Sequence, residues 1–241
     1  MNEILAALHA RKSVREYLDK PISAEEKESI LLAACAAPTA GNQQLYTILD
    51  ITGQDLKDRL AVSCDNQPFI AKAPMALVFC ADCRKWYDAY IEAGETPRKP
   101  GVGDMLLAVV DASIAAQNAV TAAESLGIGS CYIGDILEQY EIHREILRLP
   151  EYVVPCAMLV FGYPTGQQKN RRKPERCAMK HIVHENTYRT LDGRELREMF
   201  EPRATKGFDD YMSAFCKRKY DSDFAREMTR SAAKYLKQFE P

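Results

Sequence analysis

Residues 104–126 read DMLLAVVDASIAAQNAVTAAESL, and the reading of this stretch decides the fold. Asp104, Asp111, Asn118 and Ser125 recur at heptad spacing, which on a helix draws one narrow polar stripe along an otherwise apolar rod. A rod apolar over so much of its circumference is buried on several sides. In a chain of 241 residues, a dimer interface is one way to cover it. The polar members and the many alanines make the stretch too polar for a membrane span, so it reads as a buried helix of a soluble protein.

Strands lie on both sides of this helix in the sequence. Met75 to Cys80 and Ala157 to Phe161 are continuous apolar runs and predict buried strands. Tyr46 to Ile51 is a third strand by its β-branched and aromatic content, and 128–133 a short, glycine-punctuated fourth. Helices are predicted over 2–10, from Ser23 to about Ala36, over 54–63, and from Asp135 to about Leu147. Ser23 with Glu26 has the spacing of a capping box, and Asp135 with Glu138 forms a similar pair. Residues 82–103 hold Trp86, Tyr87 and Tyr90, then Gly94, Pro97, Pro100 and Gly101, and read as a short helix followed by a mobile, lid-like loop. Helical patterns near 207–217 and 222–238 make a C-terminal helical extension, from about 187 to 241, that is expected to embrace a neighbour. The whole reads as a single domain of α/β or α+β class.

Composition agrees with a globular enzyme-sized domain. Hydrophobic residues make up 46% and charged residues 27%, and 32 basic against 34 acidic side chains leave a net charge of −2. That balance asks for neither a nucleic-acid backbone nor an acidic membrane as partner. Met1 to Leu5 lacks the basic and apolar regions of a signal peptide, and the eight scattered cysteines suit a reduced, cytoplasmic protein.

Two basic clusters stand out. Arg11-Lys12-Ser13-Val14-Arg15 places two guanidiniums and a hydroxyl within five residues, a set that can grip a phosphate or can be a solvated patch. Lys169-Asn170-Arg171-Arg172-Lys173 follows a Gly162-Tyr163-Pro164 turn that would fix it in place, so the two clusters could converge on one anion. Gly127 to Gly134 has three glycines at a spacing that fails the dinucleotide pattern, although Gly134 lets backbone approach a flat ligand. Cys80-Ala81-Asp82-Cys83 has redox spacing without the setting that lowers a thiol pKa, and the four histidines show no metal spacing.

Taken in order, these segments resemble the nitroreductase family. The resemblance is carried by 11–15, by Pro21-Ile22-Ser23, by Ala37 to Gln44 and by Asn66 to Pro74. It continues through Asp111 to Ala123, Ser125 to Gly134, Phe161 to Pro164 with Lys169 and Arg171, and Val183 to Tyr188. It is nearest to the NADPH-dependent, oxygen-insensitive nitroreductases and flavin reductases. The resemblance implies an α+β fold with a central, mostly antiparallel sheet flanked by helices, and a homodimer with an FMN at each interface site. Arg11, Ser13, Lys169 and Arg171 would hold the FMN phosphate, with Lys12 in the same cofactor-binding motif. Arg15 would reach the pyrimidine edge. Gln67 and the backbone of Tyr132, Ile133 and Gly134 would line the isoalloxazine, and a partner loop carrying Thr39 and Asn42 would close over it.

The implied activity is hydride transfer from NADPH or NADH through FMN to a nitroaromatic, quinone, flavin or similar small acceptor, in a ping-pong cycle. Reductive dehalogenation, flavin supply to a partner and non-catalytic flavin binding are the alternatives. Three positions depart from the family pattern. The 38–42 loop is Pro-Thr-Ala-Gly-Asn where serines are common, Asp135 stands where a second glycine is common, and the stretch from Pro164 to Lys169 is short. Asp135 is either a helix N-cap or a tuner of the flavin. Lys217-Arg218-Lys219 either meets the NADPH 2′-phosphate or is a solvated helix end.

Overall fold

The computed structural model describes residues 1–240, which form two compact units: residues 1–171 with those from 228 onward, and residues 172–227. The first unit runs α1 (Glu3–Ala10), α2 (Ala24–Cys35), β1 (Tyr46–Asp50), α3 (Gln54–Ser63), α4 (Pro68–Ala71) and β2 (Met75–Asp82). It continues with α5 (Arg84–Glu92), α6 (Val102–Ser125), β3 (Gly129–Ile133), α7 (Tyr140–Ile146), β4 (Val153–Gly162) and α8 (Gly166–Asn170). The second unit holds α9 (Gly193–Phe200) and α10 (Phe208–Lys219), and α11 (Asp223–Leu236) returns the chain to the first.

The strands form one sheet in the order β1-β2-β4-β3, with every neighbouring pair antiparallel. β2 is buried along its whole length because helices cover both faces of the sheet. Side chains alternate sides along a strand. Leu77 and Phe79 of β2 and Leu159 and Phe161 of β4 therefore meet α2 and α6 on one face. Val78, Cys80, Met158 and Val160 meet α3, α4 and the turn before α7 on the other. Antiparallel strands read as unbroken apolar runs here for the reason parallel ones usually do. A register shift between Phe79 and Cys80 lets Pro155 sit inside β4 without breaking the sheet.

α6 lies on the sheet through Ala108, Ala112, Ala115, Ala116, Ala119 and Ala123, all fully buried. Its small face lets the helix come close to the strands. The middle of the heptad stripe is turned inward. Asp111 is 2% exposed, and Asn118 donates to the Ala33 carbonyl of α2 at 3.1 Å. The first half of α6 exposes apolar side chains: Leu106, Leu107 and Val110 are 56%, 50% and 54% exposed. Asp104 and Ser125, at the two ends of the stripe, bond within the chain to Arg98 and to the Ala122 carbonyl. α6 is also the one helix among the described residues long and apolar enough to cross a membrane.

The end of the chain packs into the first unit's own core, with Tyr235 edge-on to Tyr140 at 4.6 Å and Phe239 edge-on to Tyr152 at 5.5 Å. Ser23 and Glu26 form the capping box of α2. Asp135 and Glu138 do not cap α7. Asp135 lies in a 3-10 turn over Gly134–Leu137 that Glu138 ends, and α7 starts beyond Gln139, which is left-handed at φ 50°. Glu138 is buried and extended, which breaks the helix between the pair and α7.

Candidate functional site

The segment Arg11 to Tyr17 lies against the sheet. The Val14 N–H donates to the Ser130 carbonyl at 2.9 Å, Ser13 bridges Ser130 in parallel, and the Leu18 N–H donates to Tyr163 at 2.8 Å. Two glycines paired across β3 and β4 permit this. A Cβ on Gly129 would fall 2.5 Å from Val14 Cγ2, and one on Gly162 would fall 2.5 Å from Tyr17 Cδ1. Any side chain there pushes the segment off.

Arg171 reaches this segment from the far end of the sequence. Its guanidinium donates to the Ser13 carbonyl at 2.7 Å. The Lys12 ammonium donates to the carbonyls of Lys169 and Arg171, both at 2.5 Å. These carbonyls close the C-terminus of α8, where a cation is favoured. The structure thus brings the 11–13 and 169–171 segments together and makes Lys12 a clamp, with two of its three donors given to main chain. Arg172 turns instead to an ion pair with Glu175. Arg11 Nη1 is buried with no partner, and so is Ser130 Oγ. An unpaired buried guanidinium nitrogen is costly unless an anion meets it. This donor set fits the phosphate of FMN. Gln168, which sequence reasoning passed over, is buried beside it and accepts from the Arg15 N–H at 3.4 Å. Its signal was only the Thr165 cap that opens α8.

Arg15 is exposed and lies over the Phe69 ring at 5.7 Å, a cation held at a fixed place by an aromatic face. Phe69 was also missed, as nothing in its local pattern separates it from core. Gln67 is half-buried. Its Nε2 donates to the Cys64 carbonyl at 2.8 Å, and its N–H donates to Ala61 at 2.8 Å. Tyr132 and Ile133 end β3, and Gly134 follows, exposed, with open space where a Cβ would stand. Burial pushes the Tyr132 hydroxyl up to about 12, and Arg11 pulls against that shift. Burial likewise raises the Cys131 thiol, opposed by Arg15, Ser13 and Arg11. A groove of about 800 Å³ runs past Arg15 and Phe69 towards Lys57 and Lys72. Its walls include none of Arg11, Ser13, Gly134, Lys169 or Arg171, so it is not the phosphate locus.

The 38–42 loop is bonded to α6. Asp111 accepts from the Thr39 hydroxyl, from the Ala40 N–H at 3.0 Å and from the Leu45 N–H at 3.1 Å. The Thr39 oxygen also accepts from the Gln44 N–H at 2.8 Å. Its hydroxyl is therefore committed within the chain, and the loop offers its backbone and the exposed Asn42 side chain instead. Gly41, Asn42 and Gln44 are all left-handed, at φ 57°, 56° and 50°, in a tight loop held by one carboxylate.

The segment after β2 is well tied down. Trp86 donates from Nε1 to the Gln43 carbonyl at 2.7 Å, Lys85 to the Tyr46 carbonyl at 2.6 Å, and Arg84 pairs with Asp88. Trp86, Tyr87, Tyr90, Pro97, Arg98 and Leu107 line a cavity of about 290 Å³. Cys83 is buried and pushed up to about 12 by burial, which denies the Cys80–Cys83 pair a reactive thiolate. Among the described residues no group of histidine, cysteine and acidic side chains could hold a metal. In the second unit, Lys217, Arg218 and Lys219 form the last turn of α10, with Arg218 over the Phe215 ring at 5.1 Å.

Known proteins are similar to this chain in sequence and fold. The model of the Nitroreductase family matches residues 8–163. The chain is 31% identical to an FMN reductase [NAD(P)H] of Bacillus subtilis over 237 residues, covering 98% of this chain and 91% of that protein. It is 32% identical to an oxygen-insensitive NADPH nitroreductase of Salmonella typhimurium over 204 residues, covering 85% and 82%. The solved structure of the NfrA1 nitroreductase from B. subtilis superposes with a TM-score of 0.80 at 28% identity, covering 94% of this chain and 98% of that one. With the family model matched over residues 8–163 and a relative 31% identical along nearly the whole chain, the chain belongs to the nitroreductase family.

Proposed function

We propose that this chain is an FMN-dependent NAD(P)H oxidoreductase. The observation that carries the reading is the closure of the 11–13 segment, which pairs with β3, onto the 169–171 segment, with a buried Arg11 guanidinium nitrogen that no group of the chain satisfies. Its relatives named FMN reductase and NADPH nitroreductase support the same cofactor and donor. Bound FMN would supply the hydride chemistry; the residues hold and orient it. Arg11, Ser13, Lys169 and Arg171 grip the phosphate. Arg15, steadied on Phe69, places a fixed positive charge at the pyrimidine edge, where negative charge gathers on reduction. Gln67 and the backbone from Tyr132 to Gly134 set the plane of the ring.

The apolar edge of α6 at Leu106, Leu107 and Val110 supports a homodimer, because a contiguous apolar surface on a helix of this length needs a cover. The 38–42 loop would then complete the site of the partner subunit. The acceptor is a small molecule of the nitroaromatic, quinone or flavin kind. The Lys217 to Lys219 turn is the candidate contact for the NADPH 2′-phosphate.

Purified protein should be yellow, with about one FMN per chain as one phosphate site requires. Anaerobic addition of NADPH or NADH should bleach the visible spectrum, and a nitroaromatic should restore it. A colourless chain that takes up no added FMN overturns the reading. A flavin that neither nucleotide reduces replaces it with a flavin carrier.

A further inference from the structure

His143 is fully buried in α7 and belongs to none of the residues assigned above. Its Nδ1 lies 3.1 Å from the Ile136 carbonyl, and its Nε2 lies 2.8 Å from Ser63 Oγ, with Cys64 Sγ at 3.8 Å. A carbonyl only accepts, so Nδ1 carries the proton and donates to Ile136. Nε2 is then the acceptor for the Ser63 hydroxyl. One neutral ring thus joins three elements: α7, the Gly134–Leu137 turn and the end of α3.

The two groups it joins lead to the two edges of the proposed flavin site. Ile136 is two residues from Gly134. Ser63 is followed by Cys64, whose carbonyl holds the Gln67 side chain at 2.8 Å. Between Cys64 and Gln67 stand Asp65 and Asn66, both left-handed at φ 61° and 50°. Consecutive non-glycine residues in that region are strained and persist only where their surroundings fix them. The ring supplies such an anchor at the root of this loop.

We propose that His143 is a positioning residue for the flavin: by bonding Ser63 and Ile136 at once, it sets the spacing between Gln67 and the Gly134 backbone. The proposal rests on the reading of Gln67 and Gly134 as flavin contacts. It assigns His143 no contact with the cofactor and no proton transfer.

The test is a double-mutant cycle on the holoprotein, read by FMN dissociation constant, visible spectrum and flavin midpoint potential. Gln67→Ala and His143→Phe should each weaken FMN binding at least tenfold and shift the absorption maxima. Together they should weaken it little more than either alone, because each removes the same placement. Ser63→Ala, which cuts one arm and keeps the ring, should give a smaller shift of the same sign and covers the case that His143→Phe fails to fold. His143→Asn, which can still donate to Ile136, should restore part of the affinity. Strictly multiplicative losses in the cycle, or a Ser63→Ala protein with wild-type affinity, spectrum and potential, overturn the positioning role alone. A silent Gln67→Ala protein overturns the flavin contact itself, and the proposal with it.

Discussion

Lys12 and Arg171 hold each other's segment in place: the Lys12 ammonium donates to the Arg171 carbonyl at 2.5 Å, while the Arg171 guanidinium donates to the carbonyl of Ser13, next to Lys12, at 2.7 Å. Segments almost the whole first unit apart in sequence are thereby closed into one cationic rim. Arg11 supplies the unpaired charge and Lys12 the clamp, so the two lysine and arginine substitutions should differ. Arg11→Ala should lower FMN affinity by about 10- to 100-fold, the loss of a charge-assisted bond of roughly 1.5–3 kcal/mol, and flatten its salt dependence. Lys12→Met should lower affinity less and leave the salt dependence intact. The Arg11→Ala, Arg171→Ala double variant should purify without flavin. Fluorescence titrations at low and high salt check all three, and a double variant with full flavin content places the phosphate elsewhere.

Gly129→Ala tests the close approach of the arginine segment. The new Cβ would stand 2.5 Å from Val14 Cγ2, which is itself buried, so the segment must move. Overpacking of this kind costs about 1–3 kcal/mol, and flavin affinity should fall with it. Trimming the neighbour in a Gly129→Ala, Val14→Ala variant should return part of the affinity. Isothermal FMN binding measures this; no recovery on trimming means that the clash is not the cause.

Asp111 holds three donors of the 38–45 segment from the buried side of α6. Asp111→Ala leaves those donors without an acceptor, at about 1–3 kcal/mol for each that stays dry. Asp111→Asn keeps one oxygen and should cost less. Urea unfolding gives the stability loss. Flavin retention on dilution should fall in parallel if this loop closes the partner subunit's site; unchanged retention in a destabilised Asp111→Asn protein separates the loop from the flavin.

Dimerisation is best probed on the exposed edge of α6. Substitutions at Ala115 or Ala119 would strike the core, as both are fully buried against the sheet. Leu106→Glu with Val110→Arg should instead yield a folded monomer with weakened flavin binding. Sedimentation velocity and circular dichroism check the outcome. A variant that stays dimeric moves the interface off α6.

Acid should weaken the fold through His143. Burial holds its folded pKa below the ordinary value of about 6.5, opposed by main-chain bonds at Glu138 and Ile136 and by the charge of Asp135. Below about pH 6.5 the unfolded chain therefore binds a proton that the folded chain does not, and stability falls as pH falls. The loss is at most about 1.4 kcal/mol per pH unit, over the window between the folded and unfolded values. Urea midpoints should be level from pH 8 to 7 and decline toward pH 5, and His143→Asn should flatten that decline. An unchanged slope in the variant assigns the acid effect to other groups.

The sequence by itself determined the elements and their class. The apolar runs at Met75 and Ala157, the Ser23–Glu26 box and the alanine-rich helix are local signals, and local physics fixes them. The two basic clusters were also legible, as was the glycine that ends β3. Tertiary structure alone decided which way α6 faces. Heptad spacing shows that Asp111 and Asn118 share a side, but not that buried loop N–H groups and an α2 carbonyl wait there. It alone made Lys12 a clamp, gave Gln168 and Phe69 their places, and made His143 the link between two distant loops. Each of these depends on partners tens to more than a hundred residues away, and no local periodicity records where folding brings such partners together.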